Sequence, residues 1–155
     1  MIRLSGCKIV LAMDCTLWPF CAEYATRPFD LIRTDKSQQF VHKTKKKLNM
    51  FLSNDCEISL ATRGSNIKLS LSLLESQYPE FNFSSMIFSN SQHKLQHLSC
   101  LISHKDQKFG FFDSDMTTLS KIKNVYGERA HVFHSSELHE IAMYEYTKEN
   151  EYEQL

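Results

Sequence analysis

Five short apolar runs punctuate this chain, separated by longer stretches whose apolar residues recur at helical spacing. The runs are 9–13 (IVLAM), 58–61 (ISLA), 86–89 (MIFS), 109–112 (FGFF) and 130–133 (AHVF). A continuously apolar strand has to be covered on both faces, which is the condition of a parallel sheet between two helical layers. Of the segments between and after them, 37–52 carries Phe40, Val41, Leu48, Phe51 and Leu52 opposite a lysine-rich face, and 65–76 carries Ile67, Leu69, Leu71, Leu73 and Leu74. Stretch 92–103 places Leu95, Leu98, Cys100, Leu101 and Ile102 at mostly helical spacing, 115–125 is shorter, and 135–146 opens on the capping pattern S-S-E-L. Strand and helix alternate five times, which predicts an α/β fold: a doubly wound, five-stranded parallel sheet of Rossmann type with right-handed crossovers.

The 155 residues make one domain, long enough to bury about two thirds of the unfolded surface. Residues 1–140 are expected to form that domain, and the acidic stretch 141–155, free of Gly and Pro, a helical extension of it. Stretch 17–36 fits neither period, holds Pro19, Pro28 and several aromatics, and reads as a long ordered loop after the first strand. Loops of that length in compact domains usually carry function.

Lys plus Arg equal Asp plus Glu at 18 each, so the field of the whole chain draws it to neither nucleic acid nor an anionic membrane. Any partner must be read from a site. The five cysteines, Cys7, Cys15, Cys21, Cys56 and Cys100, are odd in number, scattered and never in a C-x-x-C pair, which predicts reduced thiols. No run of eighteen apolar residues exists, and the N-terminal stretch meets a charge too early for a signal peptide. A cytoplasmic protein without a membrane span is the expectation. The run KTKKK at 43–47 reads as a solvated helix face before it reads as a dock for an acidic partner. His93 and His97 share a helix face without an evident third ligand, so neither zinc nor haem is expected.

In an open parallel sheet, ligands sit outside the carboxyl ends of the strands. That rule pools Asp14 and Thr16 after the first strand, Thr62, Arg63, Gly64 and Ser65 after the second, Asn90 and Lys94 after the third, and Asp113 and Asp115 after the fourth. Carboxylates, a lysine, hydroxyls and a helix start on one rim suit a divalent cation and a phosphate, since the metal takes oxygen ligands and the phosphate takes N–H donors and cations.

The stretch LAMDCTLWPF resembles the first motif, D-x-D-x-T, of haloacid dehalogenase superfamily phosphatases. Its L-W-P-F continuation is similar to the magnesium-dependent phosphatase family related to protein-tyrosine phosphatases. SLATRGSNI resembles that family's second motif, SQHKLQHL its lysine segment and KFGFFDSDMTTLSKI its acidic fourth motif, so the likeness runs over 7–138. The resemblance implies a core without a cap domain, Mg²⁺ as cofactor, and a carboxylate nucleophile at position 12, where this chain has Ala12. It implies that Asp14 is the general acid and base and binds the metal through its backbone carbonyl, and that Thr16 shapes the turn. Thr62 would donate to the phosphoryl oxygens with Arg63 beside it, Lys94 would neutralise their charge, and Asp113 would bind the metal.

Two departures carry consequences. Ala12 removes both the attacking atom and a metal ligand, so this chain is expected to be inert. Ser114 stands where the family has a second aspartate, leaving Asp115 either as a displaced metal ligand or as a helix cap. Because Asp14, Thr16, Thr62, Lys94 and Asp113 are all retained, an engineered Asp→Ala accounts for Ala12 better than natural loss, whose product would be a pseudophosphatase that binds a phosphoprotein or partner. The uncapped rim admits a phosphorylated side chain, so the resemblance points to a phosphotyrosine protein as substrate, with small phosphosugars as the competing class. Trp18 and Phe20, with Tyr24, are expected to form an apolar wall at the mouth that binds an aromatic leaving group. The Lys-, Asn- and Ser-rich surface and Glu-rich C-terminal stretch resemble proteins that intracellular bacteria deliver into host cells, which would make host phosphoproteins the targets. Self-association is left open.

Overall fold

The computed structural model describes residues 8–62, 66–88, 98, 101–102 and 107–139. Strands β1 (Lys8–Leu11), β2 (Glu57–Thr62), β3 (Ser85–Phe88), β4 (Phe109–Asp113) and β5 (Ala130–His134) form one sheet in the order β3-β2-β1-β4-β5. Every neighbouring pair is parallel. All five strands fall on the apolar runs. β1 leaves the ladder earliest: Ala12 still donates its amide to the Phe112 carbonyl at 3.0 Å, and the chain then turns away.

The helices are α1 (Pro28–Leu31), α2 (Asp35–Ser53), α3 (Ile67–Gln77), α4 (Met116–Tyr126) and α5 (Ser136–His139). Three are capped by side chains that accept an otherwise orphaned amide: Thr34 from Ser37, Asn66 from Leu69 and Asp115 from Thr117. The stretch 17–36 is less irregular than its composition suggests. It contains a 3₁₀ turn (Ala22–Tyr24) and α1, which Pro28 opens at a position where its missing amide costs no hydrogen bond. Most of the helix expected at 92–103 lies outside the described residues; inside them, the Ile102 amide donates to the Leu98 carbonyl at 2.8 Å, the i to i−4 bond of a helical turn. Residues 140–155 also lie outside the described residues.

The side chains alternate across the sheet and build two cores. Ile9, Leu11, Ile58, Leu60 and Phe112 pack with Val41, Leu48 and Phe51 of α2, Leu73 and Leu74 of α3 and Leu138 of α5. Val10, Ala61, Phe109, Phe111 and Ala130 pack on the opposite face with Leu98, Leu101, Ile102 and Leu119 and Ile122 of α4. The sheet is therefore covered on both sides, a doubly wound α/β arrangement, and truncating a wholly buried member such as Leu48 to Ala would cost about 2–5 kcal/mol. Gly110 is the one small residue inside β4. A Cβ there would sit 3.1 Å from Ile9 Cδ1, and the space is taken by Ile9 while Phe112 stacks on Phe133 at 4.7 Å.

This order fixes where a ligand can enter. The chain runs outward from β1 to β2 and β3, then returns to the other side of β1 with β4 and β5. The connections thus diverge between β1 and β4, and the crevice at their carboxyl ends is where an open sheet binds.

Candidate functional site

Continuing the β1–β4 register one step past Leu11 and Phe112 sets Ala12 level with Asp113. Both are nearly inaccessible, as is Thr62 at the end of β2. The end of the sheet thus gathers Ala12, Thr62 and Asp113 from three adjacent strands.

Beyond Ala12 the chain makes a tight turn. The Thr16 and Leu17 amides both donate to the Met13 carbonyl, at 3.1 and 2.8 Å, and the Cys15 amide donates to the Phe20 carbonyl at 3.2 Å. Cys15 carries this turn at φ +61°, a left-handed conformation that costs a residue with a Cβ about 1–2 kcal/mol. Thr16 is wholly buried and its Oγ1 has no hydrogen-bond partner among the described residues.

Asp14 ties the turn to the loop that follows. Its Oδ1 accepts from Trp18 Nε1 at 2.8 Å and from the Ala22 amide at 3.0 Å, while Oδ2 accepts from the Cys21 thiol at 3.4 Å. Burial raises the Asp14 carboxyl above the usual carboxylate range, and the three donors only partly offset it. The same surroundings act on the thiols. Burial, then the charges of Asp14 and Asp113, push Cys15 up to about 12, although a Ser114 hydrogen bond works the other way. Cys21 is raised as well, by burial and then by Asp14. Neither is an activated nucleophile.

Trp18 and Phe20 do not line the mouth. Both have zero exposure and belong to the core with Leu17, because a hairpin-like turn folds their apolar bulk inward while the Trp18 indole N–H meets its acceptor in Asp14. The expected apolar wall is therefore not theirs. Among the described aromatics of this loop, Tyr24 (46%) and Phe29 (39%) are the exposed ones. Tyr78, a residue that no sequence motif singles out, pins the loop from the end of α3: wholly buried, it donates its hydroxyl to the Leu17 carbonyl.

Asp113 and Asp115 divide two tasks. The Asp115 amide donates to Asp113 Oδ1 at 3.1 Å, which orients the Asp113 carboxylate toward the crevice end of β4. Asp115 caps α4, with Oδ1 accepting from the Thr117 amide at 3.1 Å and Oδ2 from Thr118 Oγ1 at 2.7 Å. Of the two roles expected for Asp115, these bonds show the capping one, with both carboxylate oxygens engaged by its own helix. Ser135, also unforeseen, follows β5, is wholly buried, and reaches the Cys15 carbonyl.

Arg63, Gly64, Ser65, Asn90, His93, Lys94 and His97 lie outside the described residues. Among the described residues no group of three or more His, Cys, Asp or Glu is placed to hold a metal ion. The Asp113 carboxylate at this rim is a hard oxygen donor of the kind Mg²⁺ takes together with water. Among the described residues, no helix is long and apolar enough to cross a membrane.

No protein-family model matches this chain, and no curated protein matches it at a significant level.

Proposed function

We propose that this chain is the inert form of a Mg²⁺-dependent phosphomonoester hydrolase that works through an aspartyl-phosphate, with phosphotyrosine on a protein as its leading substrate class. The observation that carries the reading is the level placement of Ala12 and Asp113 at the switch point of the sheet, with Asp14 two residues on in surroundings that favour its protonated form. An aspartate at position 12 would put a nucleophilic oxygen on the central strand beside a carboxylate suited to a hard cation. Asp14, whose carboxyl burial shifts upward, is suited to protonate the leaving oxygen and then to take a proton from water. Its Oδ2, which among the described residues has no N–H donor, is the atom that would hold that proton. Thr62 would donate to the phosphoryl oxygens, and Arg63 and Lys94, on the expectation from sequence, would neutralise their charge. The Asp113 carboxylate and the Asp14 carbonyl would hold Mg²⁺, which when bound neutralises phosphoryl charge.

Phosphotyrosine is preferred on the resemblance and on Tyr24, the exposed aromatic nearest in sequence to the site loop. The retention of Asp14, Thr16, Thr62 and Asp113 around Ala12 favours a replaced nucleophile over an eroded site. Free thiols at Cys15, Cys21 and Cys56 suit a reducing compartment, so we place its work in a cytoplasm, in keeping with phosphoprotein substrates. The test is an Ala12→Asp variant assayed on a phosphotyrosine peptide, phosphoserine peptides and a panel of sugar phosphates. Turnover highest on phosphotyrosine supports the assignment; turnover confined to sugar phosphates moves the substrate class; none on any ester sinks it.

Ala12 itself favours one other reading, a natural pseudophosphatase that captures a phosphorylated partner without cleaving it. Tight binding of a phosphotyrosine peptide by the unaltered chain, with an Ala12→Asp variant that stays inactive, would select this second reading.

A further inference from the structure

The geometry points to Ser135 as a positioning residue that clips the two banks of the β1/β4 crevice together and holds the Asp14–Cys15 turn in its working shape. Ser135 makes two bonds with different partners. Its amide donates to the Asp113 carbonyl at 3.0 Å, and its Oγ donates to the Cys15 carbonyl at 2.9 Å, across 120 positions of sequence. One small, wholly buried side chain thus joins the end of β4 to the turn after β1, at the level where Ala12 and Asp113 stand side by side.

The position of that bond in the turn gives it leverage. Cys15 is left-handed at φ +61°, a conformation it keeps only while the surroundings over-determine it. On its N-terminal side the Cys15 amide is fixed by the Phe20 carbonyl; on its C-terminal side the carbonyl is fixed by Ser135. Because a trans peptide sets C=O and N–H on opposite sides, fixing the Cys15 amide toward Phe20 turns the Asp14 carbonyl away from that loop. Ser135 in turn is held by the opening of α5, where the Leu138 amide donates to its carbonyl at 3.0 Å. A chain of bonds therefore runs from α5 through Ser135 to the Cys15–Thr16 peptide, the one that follows the peptide carrying the Asp14 carbonyl. Removing the Ser135 hydroxyl frees the C-terminal side of the turn and leaves the Cys15 carbonyl without that donor, while the Cβ that fills the space remains.

This role rests on the phosphatase reading only for its catalytic consequence, and the two are separable by experiment. The structural part is read by thiol alkylation under native conditions, comparing Cys15 with Cys56, a buried thiol at the start of β2 that reports general opening. In Ser135→Ala, Cys15 is expected to label roughly tenfold faster than in the parent while Cys56 keeps its rate, and Ser135→Thr, which keeps the hydroxyl, restores slow labelling of Cys15. Equal acceleration of both thiols, or none at Cys15, overturns the proposal. The catalytic part is read in the Ala12→Asp background. There Ser135→Ala is expected to lower kcat about tenfold with KM nearly unchanged. A full kcat with a displaced Cys15 removes the positioning role, whereas an inactive Ala12→Asp parent counts against the phosphatase reading and leaves the labelling ratio to decide the role of Ser135.

Discussion

Trp18 Nε1 lies 2.8 Å from Asp14 Oδ1, so a core residue supplies one of the hydrogen bonds that restrain the carboxyl of the candidate general acid. The bond has a structural and an electrostatic side. Trp18→Phe keeps most of the buried ring and deletes the donor, and is expected to destabilise the fold by about 1–3 kcal/mol, with the Asp14 carboxyl pushed further up. Urea unfolding measures the first; a loss below about 0.5 kcal/mol would show that the bond is not a fixed feature of the folded state.

The Asp14 shift makes a signed statement about pH. Its folded carboxyl holds a proton at pH values where the unfolded chain, with an ordinary carboxyl near about 4, has lost it. The folded state therefore binds more protons, and this group's contribution to stability falls as pH rises from about 4 through the raised folded value, then levels off. Asp14→Asn removes that slope. Unfolding free energies of both proteins across this range should show the parent losing ground to the variant as pH rises; a constant difference, or one of opposite sign, contradicts the assignment.

Asp113 and Asp115 should separate cleanly. Asp115→Ala removes the α4 cap and is expected to cost about 1 kcal/mol of stability without abolishing activity in an Ala12→Asp background. Asp113→Ala in the same background is expected to lose Mg²⁺-dependent turnover. The check is a pair of thermal melts with Mg²⁺ titrations of activity, and a reversal of the two effects would return the metal role to Asp115.

Cys15 offers a backbone test. Because its φ is +61°, Cys15→Gly should be tolerated, whereas Cys15→Val places a β-branched side chain in a conformation it disfavours and should cost about 2 kcal/mol or more. Equal stability of the two variants would mean that the left-handed turn is not maintained in solution.

The fold was legible because it rests on pattern. All five strands coincide with short apolar runs, and α2 and α3 follow the spacing of residues such as Phe40, Leu48 and Leu73. The rim was legible for Ala12, Asp14, Thr62 and Asp113, since the end of a parallel strand can be read from where its apolar run stops. What escaped was the tertiary wiring. Whether Trp18 and Phe20 face inward depends on the turn at Cys15, and the stretch L-W-P-F has the same composition either way. Tyr78 and Ser135 act through backbone carbonyls 61 and 120 positions away, contacts that leave no local signature. Asp115 was readable in part: a carboxylate before a helix is a favoured cap, and Ser114 moved it one place from the expected position of a ligand.

The central claim is that Ala12 marks a missing nucleophile. The measurement that bears on it most directly is steady-state phosphate release from a phosphotyrosine peptide by the parent chain and by Ala12→Asp, each with Mg²⁺ and after chelation. Release by the variant alone, and only with Mg²⁺, is the expected result. A folded Ala12→Asp that releases no more phosphate than the parent, or equal release by both with and without the metal, would contradict it.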